Sequence, residues 1–276
     1  MTKSELNRDH MKLVAMLLLF AVSPTLAADR PESPIVRPVQ DSSPKRSFLF
    51  IGNSYLYYGD GLQNHVRRLA TAADPRNADQ YTPETWKMAT ISGSNLAHHN
   101  IHSYLAPGKL GVQKPFEIVV LQGGSGDTSS AARRAVFEAT VVEFDREIRK
   151  TGAKTALYMN HAYGKAHERF DPNMIRDVER LLVSVGNKVG ALVIPVGLAF
   201  EEAYRQRPGV KLHKDFDGSH PDLLGTYLAA CVTYASLYGK PVAGNPYDYY
   251  ENIDKEMVAF LQSIADQTVR KFFDVP

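Results

Sequence analysis

Three residues whose side chains can together carry out acyl transfer are spread over this chain of 276 residues. Asp217 and His220 stand in the run Asp-Gly-Ser-His, and Ser54 follows an apolar run that ends at Gly52. A serine hydroxyl is a weak nucleophile at neutral pH, so it needs an imidazole to accept its proton and a carboxylate to fix the tautomer of that imidazole. The residues therefore predict a nucleophile, Ser54, a general base, His220, and an orienting carboxylate, Asp217.

The elements that must position these residues are predicted from alternating apolar and amphipathic segments. Continuously apolar strands separated by helices favour a parallel sheet that is covered on both faces, an α/β fold with three α/β/α layers. In such sheets functional groups gather where strands end, and this is where Ser54, Gly93 and Gln122 fall. The expected strands are 47–51, 87–91, 116–121, 155–159 and 191–196, and the expected helices are 60–73, 129–151, 171–188, 197–206, 222–238 and 253–273.

The N-terminus predicts export. Basic residues precede an apolar run at 13–22, and small residues follow it at 23–28. This order is typical of a cleavable signal peptide, and the apolar run is too short for a membrane span. We therefore expect a signal peptide at 1–28, a proline-containing linker at 29–45 and one folded domain at 46–276. The mature protein would be secreted or periplasmic, without a stable membrane anchor.

Composition narrows the classes of partner. A formal net charge of +2 is too small to indicate nucleic acid. The single cysteine, Cys231, cannot form an intramolecular disulfide, and its apolar surroundings predict a buried thiol. The sequence indicates no oligomeric state.

Four short blocks in a fixed order carry a family resemblance. They are Ile-Gly-Asn-Ser at 51–54, Ile-Ser-Gly-Ser at 91–94, Val-Leu-Gln-Gly-Gly-Ser at 120–125 and Asp-Gly-Ser-His-Pro at 217–221. In this arrangement the chain resembles the SGNH/GDSL hydrolase superfamily. The resemblance implies a flavodoxin-like sandwich, the triad of Ser54, His220 and Asp217, and no cofactor. It also implies an oxyanion site formed by the N–H groups of Ser54 and Gly93 and by the amide of Gln122, with Ser125 as the alternative to Gln122.

Two blocks depart from the better-known pattern of the superfamily. The first has Gly-Asn-Ser instead of Gly-Asp-Ser, which the triad tolerates because its acid is Asp217. The third lacks Gly-x-Asn-Asp and is closer to the Gln-Gly-Glu stretch of carbohydrate acetylesterases. The resemblance therefore implies a serine esterase acting on a small-molecule or polysaccharide ester, with carbohydrate O-acetyl groups as one candidate. Asn53, Tyr55 and His161 are predicted to contact the substrate.

Other interpretations remain open at this stage. Ser54 and Asp217 are also residue types that commonly cap helices or form turns. On that interpretation the chain would be a non-catalytic carbohydrate-binding or envelope-associated protein with the same fold. A lower-ranked alternative is a metal-dependent hydrolase that uses the cluster His98, His99 and His102, although no carboxylate or cysteine accompanies these histidines at ligand spacing. We predict no metal site.

Overall fold

A central five-stranded parallel sheet organises the protein, for which the computed structural model describes residues 32–40 and 45–275. The strand order is β2-β1-β3-β4-β5, so the chain reverses its winding direction between β1 and β3. Each strand lies within two residues of its predicted position, which confirms the expected parallel sheet. The strands are β1 Phe48–Gly52, β2 Trp86–Thr90, β3 Ile118–Gln122, β4 Lys154–Tyr158 and β5 Leu192–Ile194.

Helices cover both faces of the sheet. The α-helices are α1 Ser54–Tyr57, α2 Leu62–Ala73, α3 Ile101–Leu105, α4 Ala131–Lys150, α5 Met174–Val189, α6 Val196–Gln206, α7 Leu223–Tyr238 and α8 Lys255–Phe273. Short 3-10 helices occupy Pro75–Gln80, Pro83–Thr85 and Leu96–His98. The six predicted helices are confirmed, whereas α1, α3 and the 3-10 turns were not expected because they are too short to show a hydrophobic period.

Two apolar clusters lie on opposite faces of the sheet and explain why the strands are apolar throughout. Within β1, Phe48 and Phe50 pack with α2, α6, α7 and α8, whereas Leu49 and Ile51 pack with α3, α4 and α5. Successive side chains of a strand point to opposite faces, so both sets are buried. This arrangement confirms the predicted three-layer sandwich.

Helix α7 is the most enclosed helix, because it packs against both α2 and α8. Cys231 lies within it and is fully buried, as predicted, and this burial raises the pKa of its thiol well above the usual value. A buried thiol of this kind is a small apolar core residue.

The predicted signal peptide and parts of the predicted linker lie outside the described residues. Residues 32–40 form no helix or strand, and they run along the domain. The Ile35 N–H donates to Asn187 Oδ1 at 2.9 Å, and Arg37 Nη1 donates to the Asp274 carbonyl at 3.1 Å. Across the part of the chain that the structure describes, no helix has both the length and the apolar character needed to cross a membrane.

Candidate active site

The candidate site lies at the carboxyl edge of the sheet, where the chain leaves β1, β2 and β3. Ser54 follows β1, the segment 91–95 follows β2, and the segment 123–127 follows β3. Strands β1 and β3 are neighbours, and the winding direction reverses between them. Crevices at such reversal points are the usual ligand sites of open parallel sheets.

The structure brings Ser54, His220 and Asp217 into one connected chain of hydrogen bonds. The Ser54 hydroxyl donates to His220 Nε2 across 2.8 Å. The opposite ring nitrogen, Nδ1, donates to Asp217 Oδ2 in a short hydrogen bond. The second carboxylate oxygen, Oδ1, accepts the N–H groups of Ser219 at 2.8 Å and of His220 at 3.1 Å. Oδ1 of Asp217 thus fixes the backbone at residues 219 and 220, and Oδ2 orients the imidazole ring of His220.

Asp217 is an anion at neutral pH. Its partial burial alone would raise the pKa of the carboxyl, but the hydrogen bonds from the His220 ring and from the two backbone N–H groups outweigh burial and lower the pKa below its usual value. A carboxylate in this position fixes the tautomer of His220 and stabilises the imidazolium that forms when the ring accepts a proton.

The loop that carries Asp217 and His220 is folded by contacts within its own neighbourhood. Gly218 has φ +61°, and a Cβ there would lie 2.8 Å from the His167 nitrogen, so glycine is required both by conformation and by space. The Gly164 N–H donates to the Gly218 carbonyl at 2.7 Å. Helix α7 is capped by Asp222, whose Oδ1 accepts the Leu223 N–H, so Asp217 is not the cap of that helix.

Asn53 holds the segment that carries Ser54. Its Oδ1 accepts the Tyr55 N–H at 3.1 Å and caps α1, and its Nδ2 donates to the Ser94 carbonyl at 2.9 Å. Its backbone N–H donates to Gln122 Oε1 at 2.8 Å. Asn53 is only 5% exposed. Its polar atoms therefore join the first, second and third blocks, and its contact with a substrate stays a prediction.

Gly93 lies beside Ser54, because residues next to Gly93 in the chain are hydrogen-bonded to residues close to Ser54. Asn53 donates to Ser94 at 2.9 Å, and the Tyr57 hydroxyl donates to Ser92 Oγ at 3.1 Å. Gly93 has φ +67°, and a Cβ there would have no heavy atom within 4 Å. Gly93 thus lies in an open turn with a left-handed backbone conformation, which glycine adopts readily. Among the described residues, neither the Ser54 nor the Gly93 N–H has a hydrogen-bond acceptor, so both are free to face a developing oxyanion.

The amide of Gln122 joins buried segments behind the site. Its side chain is fully buried, its Nε2 donates to Asn160 Oδ1 at 2.9 Å and to the Gly123 carbonyl, and its Oε1 accepts from Asn53. Both amide hydrogens thus have partners within the protein, and a role of Gln122 at the oxyanion stays a prediction. The alternative residue, Ser125, accepts a hydrogen bond from the Tyr163 hydroxyl at 3.1 Å and is also hydrogen-bonded to the Tyr55 side chain.

Tyr55 and His161 also lie beneath the site instead of facing a substrate. Tyr55 is 4% exposed and His161 is fully buried. The Tyr55 hydroxyl is hydrogen-bonded to Ser219 Oγ at 2.7 Å, and His161 Nε2 donates to the Ser219 carbonyl at 2.9 Å. The loop that carries Asp217 and His220 thus covers both side chains, and substrate contact by Tyr55 and His161 stays a prediction.

The histidine at position 161 is a neutral ring inside an aromatic stack. Its ring lies 4.5 Å from that of Tyr55 and 4.3 Å from that of Phe200, nearly parallel to both. Burial lowers the pKa of His161 well below its usual value. Because Nε2 carries the proton that is donated to Ser219, Nδ1 is an acceptor, and it has no partner within the described part of the chain.

Three further residues shape the site without having been singled out for these roles. The ring of Tyr58 stacks on that of His220 at 4.2 Å. Asn160 Nδ2 donates to the Gly123 carbonyl at 3.0 Å, and Asp127 Oδ2 accepts the Gly124 N–H at 2.7 Å. Burial raises the pKa of Asp127 to about 6. These three contacts involve loops and segments outside the regular strands and helices. No periodic pattern in the sequence therefore marks the three residues.

The histidines at 98, 99 and 102 do not converge. His98 Nδ1 accepts the Asn95 N–H, the buried His99 is hydrogen-bonded to Ser94 Oγ at 3.1 Å, and His102 lies 3.7 Å from Glu147. Within residues 32–40 and 45–275, no group of three or more His, Cys, Asp or Glu side chains is placed to hold a metal ion. This cluster therefore offers no ligand set in the described structure.

A separate cleft of about 370 Å³ opens beyond the ends of β4 and β5. Its walls include Tyr163, Phe170, Phe200 and His213, and none of the triad residues lines it.

Comparison with known proteins identifies the fold. No protein-family model and no curated protein matches the sequence significantly. Among solved structures, the chain is similar to a DUF4886 family protein from Bacteroides uniformis, with 19% identity, a TM-score of 0.59 and coverage of 83% of this chain and 96% of the other. It is also similar to a putative SGNH hydrolase from Slackia heliotrinireducens, with 18% identity, a TM-score of 0.53 and coverage of 70% and 98%.

A third similar structure is an acetyl xylan esterase, with 14% identity, a TM-score of 0.51 and coverage of 68% of this chain and 98% of the other. These identities are low, so the likeness concerns the fold and not the activity. The parallel sheet in the order β2-β1-β3-β4-β5 and the likeness to these structures together show that the chain has the SGNH hydrolase fold.

Proposed function

We propose that this protein is a serine hydrolase that cleaves carboxylic esters through an acyl-enzyme on Ser54. The observation that carries the proposal is the unbroken chain of hydrogen bonds from Ser54 through His220 to Asp217. A nucleophile bonded to a base, with the base oriented by a third group, is the arrangement that activates a serine. Because that arrangement is intact, it favours catalysis over a non-catalytic binding protein with a degenerate triad.

The geometry supports a two-step mechanism. Ser54 Oγ attacks the ester carbonyl while its proton passes to His220 Nε2, and Asp217 stabilises the resulting imidazolium. The N–H groups of Ser54 and Gly93 are placed to stabilise the negative charge on the former carbonyl oxygen. The carbon–oxygen bond to the alcohol then breaks, and His220 returns the proton to the leaving oxygen. Water, activated by the same imidazole, releases the acid and restores Ser54.

The substrate class is proposed from two likenesses. One similar structure is described as an acetyl xylan esterase, and the third block, Gln-Gly-Gly at 122–124, is closest to that of carbohydrate acetylesterases. We therefore propose an O-acetyl group on a carbohydrate as the scissile ester. We also propose, from the signal-like N-terminal sequence at 1–28, that this activity is periplasmic or extracellular.

The experiment compares wild type, Ser54→Ala and the control Ser184→Ala in the hydrolysis of p-nitrophenyl acetate. Ser184 lies on the exposed side of α5, away from the site. We expect Ser54→Ala to lower kcat by at least about 10³-fold, because only background stabilisation remains when the nucleophile is lost. Ser184→Ala should match wild type.

The assay is repeated with p-nitrophenyl esters from acetyl to octanoyl, so that an unsuitable acyl chain is not mistaken for inactivity. Equal rates for wild type and Ser54→Ala, or no hydrolysis of any ester in the series by wild type, would contradict the proposal.

A further inference from the structure

Resting on the proposed esterase activity, we infer that Phe216 is the residue that binds the leaving alcohol and selects for a carbohydrate ring. Phe216 directly precedes Asp217, and its side chain is 70% exposed, whereas most large apolar side chains of the described chain are buried. Its ring centroid lies 6.4 Å from that of His220, at an interplanar angle of 30°.

Phe216 is one of three exposed apolar side chains around the triad. Tyr57, which is 37% exposed, and Ile91, which is 40% exposed, are the other two. Single exposed apolar residues are common on protein surfaces, but a group that borders one site indicates a binding surface. The three residues come from α1, from the turn after β2 and from the loop before His220, so the fold gathers them at the site.

The cleavage of an ester distinguishes an alcohol side and a carbonyl side of this surface. The oxygen of the leaving alcohol must come within hydrogen-bond reach of His220 Nε2, because that atom returns the proton to it. The carbonyl oxygen must instead face the N–H groups of Ser54 and Gly93. Tyr57 and Ile91 adjoin the Gly93 turn, since Tyr57 donates to Ser92 Oγ at 3.1 Å. Phe216 adjoins His220 and is therefore on the alcohol side.

An exposed aromatic face fits a ring-shaped alcohol. The apolar C–H face of a pyranose packs on the face of an aromatic ring, and aromatic side chains bury large apolar areas in such contacts. Phe216 directly precedes Asp217, whose carboxylate accepts the N–H groups of Ser219 and His220, so the backbone next to Phe216 is held in place. A small alkyl alcohol would leave this ring uncovered, whereas a sugar would cover it.

The test compares two substrates with the same acetyl group and different alcohols, an acetylated xylo-oligosaccharide and ethyl acetate. The measured quantity is the ratio of their kcat/KM values, in wild type, Phe216→Ala, Phe216→Trp and Phe170→Ala. Phe170 is an exposed phenylalanine in another loop and serves as the matched control. We expect Phe216→Ala to lower the ratio by about two- to tenfold, the effect of losing one ring contact.

Phe216→Trp, which keeps an aromatic face, should hold the ratio near the wild-type value, and Phe170→Ala should leave it unchanged. Binding of the acetylated oligosaccharide to Ser54→Ala, measured by calorimetry, should weaken by a similar factor when Phe216→Ala is added. An unchanged ratio in Phe216→Ala, or an equal change in Phe170→Ala, would overturn the inference while leaving the esterase proposal intact. Wild type that hydrolyses neither substrate nor any p-nitrophenyl ester would overturn both.

Discussion

Two histidines adjoin Ser219, and their surroundings give them opposite properties. His220 follows Ser219 in the chain, and His161 donates a hydrogen bond to the Ser219 carbonyl. His220 stacks on Tyr58, and its side chain is 24% exposed. Both of its ring nitrogens have partners, one Ser54 and the other Asp217. His161 stacks between Tyr55 and Phe200, is fully buried, and has one partner, the Ser219 carbonyl.

Both histidines stack on aromatic rings, so stacking alone does not make a histidine a general base. A carboxylate stabilises the charged form of His220, and the neighbouring hydroxyl supplies a proton for the ring to accept. His161 is fully buried, and burial lowers its pKa, so it stays neutral and donates a fixed hydrogen bond. We therefore propose that His220 transfers the proton and that His161 positions the loop 217–220.

The same substitution at both positions should give the largest contrast. We expect His220→Gln to lower kcat for ester hydrolysis by at least about 10⁴-fold, because no group remains to accept the serine proton. His161→Gln retains an N–H that can donate to Ser219, so its loss should stay within about tenfold. Steady-state kinetics on p-nitrophenyl acetate measures both, and a similar loss in the two variants would contradict the separation of roles.

Asp217→Asn should have the next largest effect. The amide keeps the size of the side chain but removes the negative charge and favours the wrong tautomer of His220, which typically costs about 10⁴-fold in a triad of this kind. The matched control is Asp215→Asn, because Asp215 is an exposed carboxylate in the same loop that pairs with Lys211. If Asp217→Asn retained more than about a tenth of wild-type kcat, the orienting role of this carboxylate would be wrong.

The loss of folding stability at acid pH should be the smallest of these effects. It tests whether His161 is neutral in the folded protein. Burial lowers the pKa of several histidines, and their unfolded values lie near 6.5. The unfolded chain therefore binds more protons as the pH falls below about 6.5, so stability is full above this pH and declines below it. The histidines concerned are His65, His99, His161 and His213.

Asp127 opposes this trend, because its raised pKa of about 6 makes the folded protein gain protons there. Burial also raises the pKa of Glu179, and four histidines against these two carboxyls leave a net decline in the free energy of unfolding between pH 7.5 and 5.5. Urea unfolding at these two pH values should show this decline, and His161→Phe should reduce it by up to about 1.4 kcal/mol per pH unit. A decline of the same size in His161→Phe would show that His161 is not held neutral.

The sheet could be predicted from sequence because its signal is local. Each strand is buried on both faces, so a short apolar run marks it and the helices between runs set the parallel order. The triad could be predicted for a related reason, since Asp217 and His220 are neighbours in one turn. Ser54 was placed by its position at the end of β1, at the edge where such sites form.

The partners of buried polar groups could not be predicted, because they depend on contacts between distant segments. Gln122 is bonded to Asn160, which is 38 residues away, and Asn53 to Ser94, which is 41 residues away. His161 follows β4, and its burial depends on the distant loop of Ser219, to which it donates a hydrogen bond. A polar residue that closes a wholly buried strand, as Gln122 does in β3, was the available signal of an inward-facing side chain.

Labelling with a fluorophosphonate, followed by intact-protein mass spectrometry and peptide mapping, shows directly whether His220 and Asp217 activate Ser54. We expect the addition of one phosphonyl group to wild type, located on Ser54, and no comparable labelling of Ser54→Ala or His220→Gln. Labelling that persists in Ser54→Ala, or a wild-type protein that takes up no label, would contradict this activation of Ser54.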